Sequence, residues 1–441
     1  MCDDYHDDKQ NAMKRRQLLL TAMGLGAGLA AWKYWPEEGL LNSCLPLPLP
    51  ERFANHEIVQ AAWAGLDTAK VWDVHVHLSG LGLGSNRVWV NPAMRSILHP
   101  FEFIHAQFYA NAACETKPND PGADTYVARL LALQQSRPPG SKLMLLAMDY
   151  FHDEAGNRVP ARTVFYVPND YAAEIAAKHA AQFEWIASIH PYRPDCIEAL
   201  EWAASHGARA VKWIPSAMGI DPASPRCVPF YEALKLLKIP LMSHGGYEHP
   251  LLGSGAMQEL NNPLALRRPL DHGVRVIVAH CASTGTGIDT DRGANGPVVE
   301  NFSLFSRMMD EPRYHSLLVG DISALTEASR VGPILTSVIN RADWHSRLLN
   351  GSDYPLPGYV PEVSISRLVS QNFITPAQGQ FLGELRQHDP LLFDFVLKRS
   401  IAFEGASFAT SVFETAEFFN RNSASLMMHT WDAHIIISAQ R

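Results

Sequence analysis

The sequence feature that most constrains the fold is a repeated alternation of short apolar runs with helical patterns, beginning at Lys70. Most of these runs are continuously apolar, which is typical of parallel strands that are buried on both faces. We interpret eight runs as strands, at residues 71–77, 143–149, 184–190, 208–214, 241–244, 274–280, 316–321 and 348–353. Eight strands with helical connections predict an α/β protein and favour a closed (β/α)8 barrel over an open sheet.

Two regions do not follow the repeat. Residues 80–140 form a long insertion after the first predicted strand and contain the aromatic-rich run FEFIHAQFY at 101–109. The insertion leaves the end of the barrel that carries active sites, so it is expected to form either a pocket wall or lid, or an oligomer contact. From Pro361 onward, the sequence predicts covering helices, of which one begins at Thr375-Pro376.

The N-terminal residues are typical of an export signal. Arg15 and Arg16 precede a short apolar stretch at 18–32, which is shorter than the roughly 20 residues of a membrane span. The string KRRQLLL resembles a twin-arginine signal. We therefore expect residues 1–50 to be an export signal with a Pro-rich spacer (LPLPLP), and residues 51–441 to be one barrel domain. The alternative is a frayed or amphipathic N-terminal helix.

This interpretation places the protein in the periplasm or on the outer face of the inner membrane, with the export machinery as a partner, and the alternative is the cytoplasm. A net charge of −8, without a long basic run, argues against a nucleic-acid partner. The six cysteines form no CxxC pair, so isolated thiols are favoured; a disulfide stays open for an exported chain, as does acylation of Cys44. A small-molecule substrate is expected, and a homo-oligomer remains open.

Polar side chains interrupt the apolar strands near their carboxyl ends. The first strand ends in Asp73-Val74-His75-Val76-His77, and strict alternation would point Asp73, His75 and His77 inward. Each unsatisfied buried polar group would cost about 1–3 kcal/mol. A metal ion removes this cost, since neutral imidazoles are good ligands for Zn²⁺. Asp73 is expected to orient a ligand rather than to bind the metal.

Three later strands end in the same way. His244 closes the fifth predicted strand, His280 the sixth, and Asp353 follows the eighth. Because the carboxyl ends of barrel strands meet on one rim, these side chains are expected to converge with His75 and His77. The joint placement predicts a metal centre, although each residue alone would more often be structural.

The ordered strings DVHVH, SHGG, VAHC and NGSDYP resemble the amidohydrolase superfamily, and within it the amidohydrolase-related group of metal-dependent hydrolases. This resemblance implies a (β/α)8 TIM barrel in which His75, His77, His244 and Asp353 bind metal. It also implies that Asp353 shuttles a proton. His280 matches a residue that binds a second metal in binuclear members and acts as a polarising group or acid in mononuclear ones.

Lys212 decides between one metal and two. Binuclear members of this superfamily carry a carboxylated lysine on the fourth strand, and Lys212 lies in that strand. A lysine there can also extend to solvent or pair with Asp149 or Asp321. We expect one Zn²⁺, with a second metal bound by Lys212 and His280 as the alternative.

The predicted activity is hydrolysis of an amide, ester or lactone of a small, cyclic or aromatic substrate. Asp353 would take the proton of the attacking water, and His280 would polarise the substrate or act as acid. The alternatives are a metal-dependent decarboxylase and an exported barrel that binds a ligand without turnover. Further rim candidates are Asp149, Tyr150, His152, His190, Tyr192, Arg193, Ser216, Tyr247, Glu248 and His249. Arg193 would hold a substrate carboxylate or form a surface salt bridge.

Overall fold

The computed structural model describes residues 39–78, 87–115, 124–248 and 257–420. The predicted export signal therefore lies outside the described residues, except for its Pro-rich end. Within the described ranges, no helix combines the length and apolarity that crossing a membrane requires.

Parallel strands form the centre of the fold. They are β1 Trp72–His77, β2 Lys142–Leu146, β3 Phe183–Ile186, β4 Val211–Trp213, β5 Leu241–His244, β6 Val276–Ala279, β7 Leu318–Asp321 and β8 Leu348–Leu349. One parallel sheet has the order β1-β2-β3 and the other β8-β7-β6-β5-β4. Isolated parallel bridges join Ala187 to Val211 and Val76 to Tyr354. The predicted α/β class and all the predicted strands are confirmed, mostly with shorter ends.

Helices follow most of the strands. The α-helices are α1 Glu51–Ala54, α2 Glu57–Trp63, α3 Pro100–Ala112, α4 Thr125–Gln134, α5 Asn169–Lys178, α6 Cys196–Ser205, α7 Pro215–Met218, α8 Val228–Leu236, α9 Arg267–Asp271, α10 Asn301–Met309, α11 Pro333–Asn340, α12 Ile365–Ser370, α13 Pro376–His388 and α14 Pro390–Ser400. Thr375 caps α13 through a reciprocal capping box with Gln378, so the predicted helix start is confirmed. Short antiparallel pairs join Trp89–Val90 to Phe165–Tyr166, Thr286–Ile288 to Val298–Glu300, and Ala402–Phe403 to Ala406–Ser407.

The strands separate two buried apolar clusters. The smaller cluster contains at least one side chain from each parallel strand or, for β4, from the residue just before it. Its members are Trp72, Val74, Met144, Leu146, Ile186, Ala210, Met242, Ile277, Val319 and Leu349, with Ala416 and Phe419. The larger cluster contains the other strand faces and the apolar faces of the helices. This division explains why the strand sequences are almost continuously apolar.

Strict alternation along β1 was a wrong prediction. Val74 belongs to the smaller cluster, whereas Val76 belongs to the larger one, and the pairing of β1 with β2 is irregular between Asp73 and Val76. Such an irregularity shifts the inward and outward positions by one residue. Asp73 is therefore not on the same face as His75 and His77.

The expectation of isolated thiols was also wrong for two cysteines. Cys44 and Cys114 form a disulfide, with their Cα atoms 5.5 Å apart. This bond leaves no free thiol at Cys44 for acylation. Cys196, Cys227 and Cys281 are buried free thiols, as predicted.

Candidate metal centre

One cavity at the carboxyl ends of the strands brings the predicted metal residues together. It is lined by all six of them: His75, His77, Lys212, His244, His280 and Asp353. Except for His77, which is partly exposed, these side chains are buried. The convergence that the sequence predicted from separate strand ends is therefore present in the structure.

His75 lines this cavity, and its ring is oriented by a carboxylate that does not line it. Its Nδ1 atom lies 3.0 Å from Oδ2 of Asp321, the last residue of β7. Its Nε2 atom lies 3.4 Å from Oδ1 of Asp353 and 3.2 Å from Nζ of Lys212. The backbone at residue 351 approaches His75 so closely that a Cβ on Gly351 would lie 2.7 Å from the Cβ of His75. Only glycine fits there.

Asp353 is the point at which the imidazoles meet. Its Oδ1 atom lies 3.0 Å from Nε2 of His77, and its Oδ2 atom lies 3.6 Å from Nε2 of His280. Asp353 has a φ of +60°, a left-handed conformation that is costly for a residue with a side chain. Surrounding contacts must therefore hold this turn in place.

Two buried side chains hold the turn before Asp353. Asp73 accepts hydrogen bonds from the backbone N–H groups of Ser352 at 2.8 Å and His75 at 3.2 Å. Lys398, on α14, donates to the backbone carbonyl of Gly351 at 2.6 Å. Asp73 thus positions backbone rather than a ligand imidazole, and the partner of the His75 ring is Asp321, which the sequence prediction had not assigned.

His280 follows β6 in a left-handed turn. His280, Cys281 and Ala282 have φ values of +57°, +53° and +49°. The His280 N–H donates to Oδ1 of Asp321 at 3.0 Å, and its Nδ1 atom lies 2.8 Å from Oγ of Ser323. These contacts turn Nε2 of His280 toward Asp353.

The ring nitrogens of His244, at the end of β5, indicate whether a metal fits the site. Its Nδ1 atom lies 2.9 Å from Oε2 of Glu248. Its Nε2 atom is buried and has no hydrogen-bond partner among the residues that the structure describes. An orphaned buried imidazole nitrogen beside a carboxylate and further imidazoles is the donor set that divalent ions such as zinc bind.

The charge states suit metal binding. Burial lowers the pKa of His75 and, more strongly, that of His280, so both rings are neutral near pH 7. Burial opposes ionisation of Asp353, but the adjacent His75, His280 and His77 outweigh it and hold the carboxyl pKa well below its usual range. Neutral imidazoles and an ionised carboxylate are the forms that bind metal. Ligand atoms of His75, His280 and Asp353 all lie within 4.8 Å of one another.

The sequence model of the family described as "Amidohydrolase" matches residues 72–369, which include all six predicted metal residues. The chain belongs to the amidohydrolase family. It is therefore an enzyme of a metal-dependent hydrolase family. No curated protein is significantly similar to this amidohydrolase over its sequence.

Several solved structures resemble this amidohydrolase at low identity. A "probable 2-pyrone-4,6-dicarboxylic acid hydrolase" from Acinetobacter baumannii is 12% identical, with 72% of this chain and 99% of that chain covered and a TM-score of 0.40. IDCase from Metarhizium anisopliae is 13% identical, with 81% and 98% covered and a TM-score of 0.43. A manganese-bound 5-carboxyvanillate decarboxylase from Novosphingobium aromaticivorans is 12% identical, with 72% and 94% covered and a TM-score of 0.39.

Lys212 remains inside the amidohydrolase site. Its side chain is 1% exposed, so it does not extend to solvent. Burial lowers the pKa of its amine, and the nearby carboxylates of Asp321 and Asp353 oppose that change. The predicted alternative of a surface lysine is therefore wrong, and pairing with Asp149 is not observed.

Most of the other rim candidates do not line the cavity. Of the ten predicted, Tyr247 and Glu248 contribute to its wall, and His249 lies outside the described residues. Arg193 forms ion pairs with Asp149 at 2.9 Å and Asp195 at 2.7 Å. Arg193 therefore forms salt bridges, as the second alternative predicted, but the pair with Asp149 is largely buried rather than at the surface.

Sequence reasoning missed three polar side chains of the cavity wall, Glu327, Arg330 and Glu362. Tyr109 and Glu115 also line the wall, and they belong to the insertion that was expected to form either a pocket wall or an oligomer contact. Arg330 is 5% exposed, and its Nε atom lies 3.2 Å from Oε2 of Glu327. Within the described part of the chain, its Nη1 atom is buried without a hydrogen-bond partner. The string TEASR after β7, which places both charges just beyond a strand end, was the available signal.

Proposed function

We propose that this amidohydrolase binds one divalent metal, zinc, through His75, His77, His244 and Asp353, and hydrolyses an amide, ester or lactone. The observation that carries the proposal is the placement of Asp353, whose carboxylate lies within 3.6 Å of imidazole nitrogens from His75, His77 and His280. Three imidazoles around one ionised carboxylate in a cavity suit metal binding together with proton transfer.

We also propose that residues 51–441 form one closed barrel domain, which places the site residues on one rim. Closure of the two sheets into one (β/α)8 barrel is supported by the bridges Ala187–Val211 and Val76–Tyr354 at the two junctions. The hydrogen bond from the N–H of Val74 to the carbonyl of Asn350 continues the second junction at 3.1 Å. In such a barrel the catalytic side chains share the carboxyl rim, and the long insertion after β1 supplies part of the cavity wall.

When bound, a divalent metal supplies Lewis acidity that lowers the pKa of water and polarises a carbonyl. Asp353 accepts the proton of the attacking water and returns it to the leaving group, because its carboxylate is ionised and lies at the centre of the site. Nδ1 of His280 donates to Oγ of Ser323, whose own proton goes to Asp321, so the neutral ring presents the lone pair of Nε2 to the site. His280 therefore polarises the substrate oxygen or acts as acid only after Nε2 has taken up a proton. Asp321 fixes the His75 ring, so Nε2 remains directed into the site.

The cavity wall favours a small substrate with an apolar body and one anionic substituent. The apolar lining comes from Val90, Met94, Val164, Phe165, Ile214 and Leu356. Arg330 offers a buried guanidinium with an unused donor, which suits a carboxylate or another planar anion. Burial raises the pKa of its neighbour Glu327 to about 8, so Arg330 is not fully neutralised by that carboxyl at pH 7.

Export by the twin-arginine route is part of the proposal. The disulfide between Cys44 and Cys114 supports it, since stable disulfides are typical of oxidising compartments such as the periplasm. Residues 1–50 would then be the signal and spacer, and the expected location is the periplasm or the outer face of the inner membrane. Cytosolic retention of a protein unaffected by Arg15→Lys with Arg16→Lys would contradict this location.

The decisive experiment compares the zinc-loaded enzyme with Asp353→Asn on a panel of esters, lactones and amides that carry a carboxylate. Hydrolysis by the parent, and a loss of at least about 10³-fold in the variant with unchanged circular dichroism, would support the assignment. Release of CO₂ without consumption of water would identify a decarboxylase instead. A metal-loaded protein that is inert on the whole panel would favour the non-catalytic binding alternative.

A further inference from the structure

Helix α3 and the turn before it carry an exposed apolar patch. Ile97, Leu98, Phe101 and Ile104 are 78%, 85%, 79% and 49% exposed. Three of these are the most exposed large apolar side chains in the described part of the chain. A cluster of this kind marks a surface that contacts something apolar.

The patch and the catalytic cavity lie on opposite sides of the same helix. Ala106, Tyr109 and Ala110 line the cavity, and their spacing of three and four residues places them on one face of α3. Phe101 and Ile104 follow the same spacing on the other face. The helix is therefore a wall about 10 Å thick between the cavity and whatever covers the patch.

The N-terminal part of the chain is fastened to the patch side of α3. Asn111 lies seven residues after Ile104, which is two helical turns, and so it shares the face of the patch. The Asn42 N–H donates to Oδ1 of Asn111 at 2.8 Å, and Asn111 donates back to the carbonyl of Asn42 at 3.0 Å. The disulfide from Cys44 to Cys114 makes this attachment covalent.

The sequence upstream of this attachment is apolar. Residues 18–32 contain no charged side chain, and residues 33–41 connect them to Asn42. An extended linker of this length spans at most about 35 Å, at roughly 3.3–3.6 Å per residue. Helix α3 has 13 residues, which corresponds to about 20 Å. Chain connectivity thus keeps the apolar segment within reach of the patch.

We propose that the patch is a lipid-binding surface and that α3 lies along the interface of a bilayer. Exposed Phe, Leu and Ile side chains are buried at the boundary of headgroups and acyl chains when a protein surface lies on a bilayer, and a second apolar element strengthens such binding. Residues 18–32 are that second element. A second copy of the chain is a poorer occupant, because a stable dimer interface takes about 20–30 residues a side.

The site on the inner face of α3 would then lie beside the membrane surface. This consequence goes beyond the proposed hydrolysis and does not depend on which bond is cleaved.

Hydroxyl-radical footprinting of the full-length protein tests the surface residue by residue. The oxidation rates of Leu98, Phe101 and Ile104 are measured with and without vesicles of phosphatidylethanolamine and phosphatidylglycerol. We expect vesicles to lower these rates by about fivefold or more, since buried side chains lose contact with water. Ile288 and Val298, which are 41% and 66% exposed on a separate hairpin, serve as matched controls and should not change.

A variant with Phe101→Ser and Ile104→Ser completes the test. In that variant, vesicles should no longer protect Ile97 and Leu98, even if residues 18–32 still hold the protein to the vesicle. Rates in the parent that are unaffected by vesicles would overturn the proposal. Protection that increases with protein concentration in the absence of vesicles would show that a second copy covers the patch. Low oxidation rates at every protein concentration without vesicles would show that residues 18–32 cover it. Either result would overturn the lipid-binding surface.

Discussion

Nδ1 of His75 lies 3.0 Å from Oδ2 of Asp321, and the carboxylate lies on β7, far along the chain from β1. An imidazole whose Nδ1–H donates to a carboxylate presents the lone pair of Nε2 on its opposite side. In this protein that side faces Asp353 and Lys212. Asp321 therefore selects the tautomer of a candidate ligand without lining the cavity.

Replacement of Asp321 by Asn should weaken metal binding by about 10–100-fold, because the imidazole loses the charged acceptor that fixes its tautomer and orientation. Competition with a chelator of known affinity measures the change. Asp289→Asn is a matched control, since Asp289 is also a buried aspartate but pairs with Arg307 away from the site. Equal affinity of parent and Asp321→Asn would remove the orienting role.

Metal analysis of the purified protein should find about one zinc per chain. The double variant His75→Asn with His77→Asn should contain none, whereas His272→Asn, which removes a partly exposed histidine paired with Glu232, should retain the metal. About two metals per chain would bring Lys212 and His280 into the ligand set, as in a binuclear centre. No metal in the reconstituted parent would contradict the site.

Glu327 should make stability depend on pH. Its pKa is raised from 4.5 to about 8, mainly by burial, so the folded state holds a proton that the unfolded state releases between these values. The contribution of this group is thus full below pH 4.5, decreases as pH rises, and is lost by about pH 8. The slope can reach about 1.4 kcal/mol per pH unit.

Urea unfolding of the metal-free protein at pH 5.5 and pH 7.5 measures this effect. The free energy of unfolding should decrease between the two values in the parent by about 1–3 kcal/mol, and by less in Glu327→Gln, which keeps the shape and cannot ionise. Glu154→Gln, an exposed surface site whose partner is Arg226, should keep the slope of the parent. Identical slopes in the parent and Glu327→Gln would show that this carboxyl does not titrate between those pH values.

The disulfide should stabilise the fold by about 2–4 kcal/mol, because Cys44 and Cys114 are 70 residues apart and their cross-link restricts the unfolded chain. Cys44→Ser with Cys114→Ser should lower the free energy of unfolding by that amount, as measured in denaturant. A reducing agent should shift the parent equally and leave the double variant unchanged. A shift in the double variant would point to an effect on other groups.

The sequence itself determined the strands and the residue types that meet at the candidate site. Continuous apolar runs must be buried on both faces, so they indicated parallel strands, and a histidine or an aspartate closing such a run indicated a functional rim. His244, His280 and Asp353 were found in this way, and their convergence is now seen. These signals are local, because each one depends on neighbours within a few residues.

Only the tertiary structure decided how these side chains are held and what surrounds them. Asp321, which contacts the His75 ring, and Arg330 and Glu327, which line the cavity, lie in a different βα unit from His75. No local pattern relates such distant positions. The irregularity in β1 reversed the predicted direction of Asp73, because a single extra residue shifts every side chain beyond it. The Cys44–Cys114 bond depends on two segments meeting in space, which cysteine spacing alone does not determine.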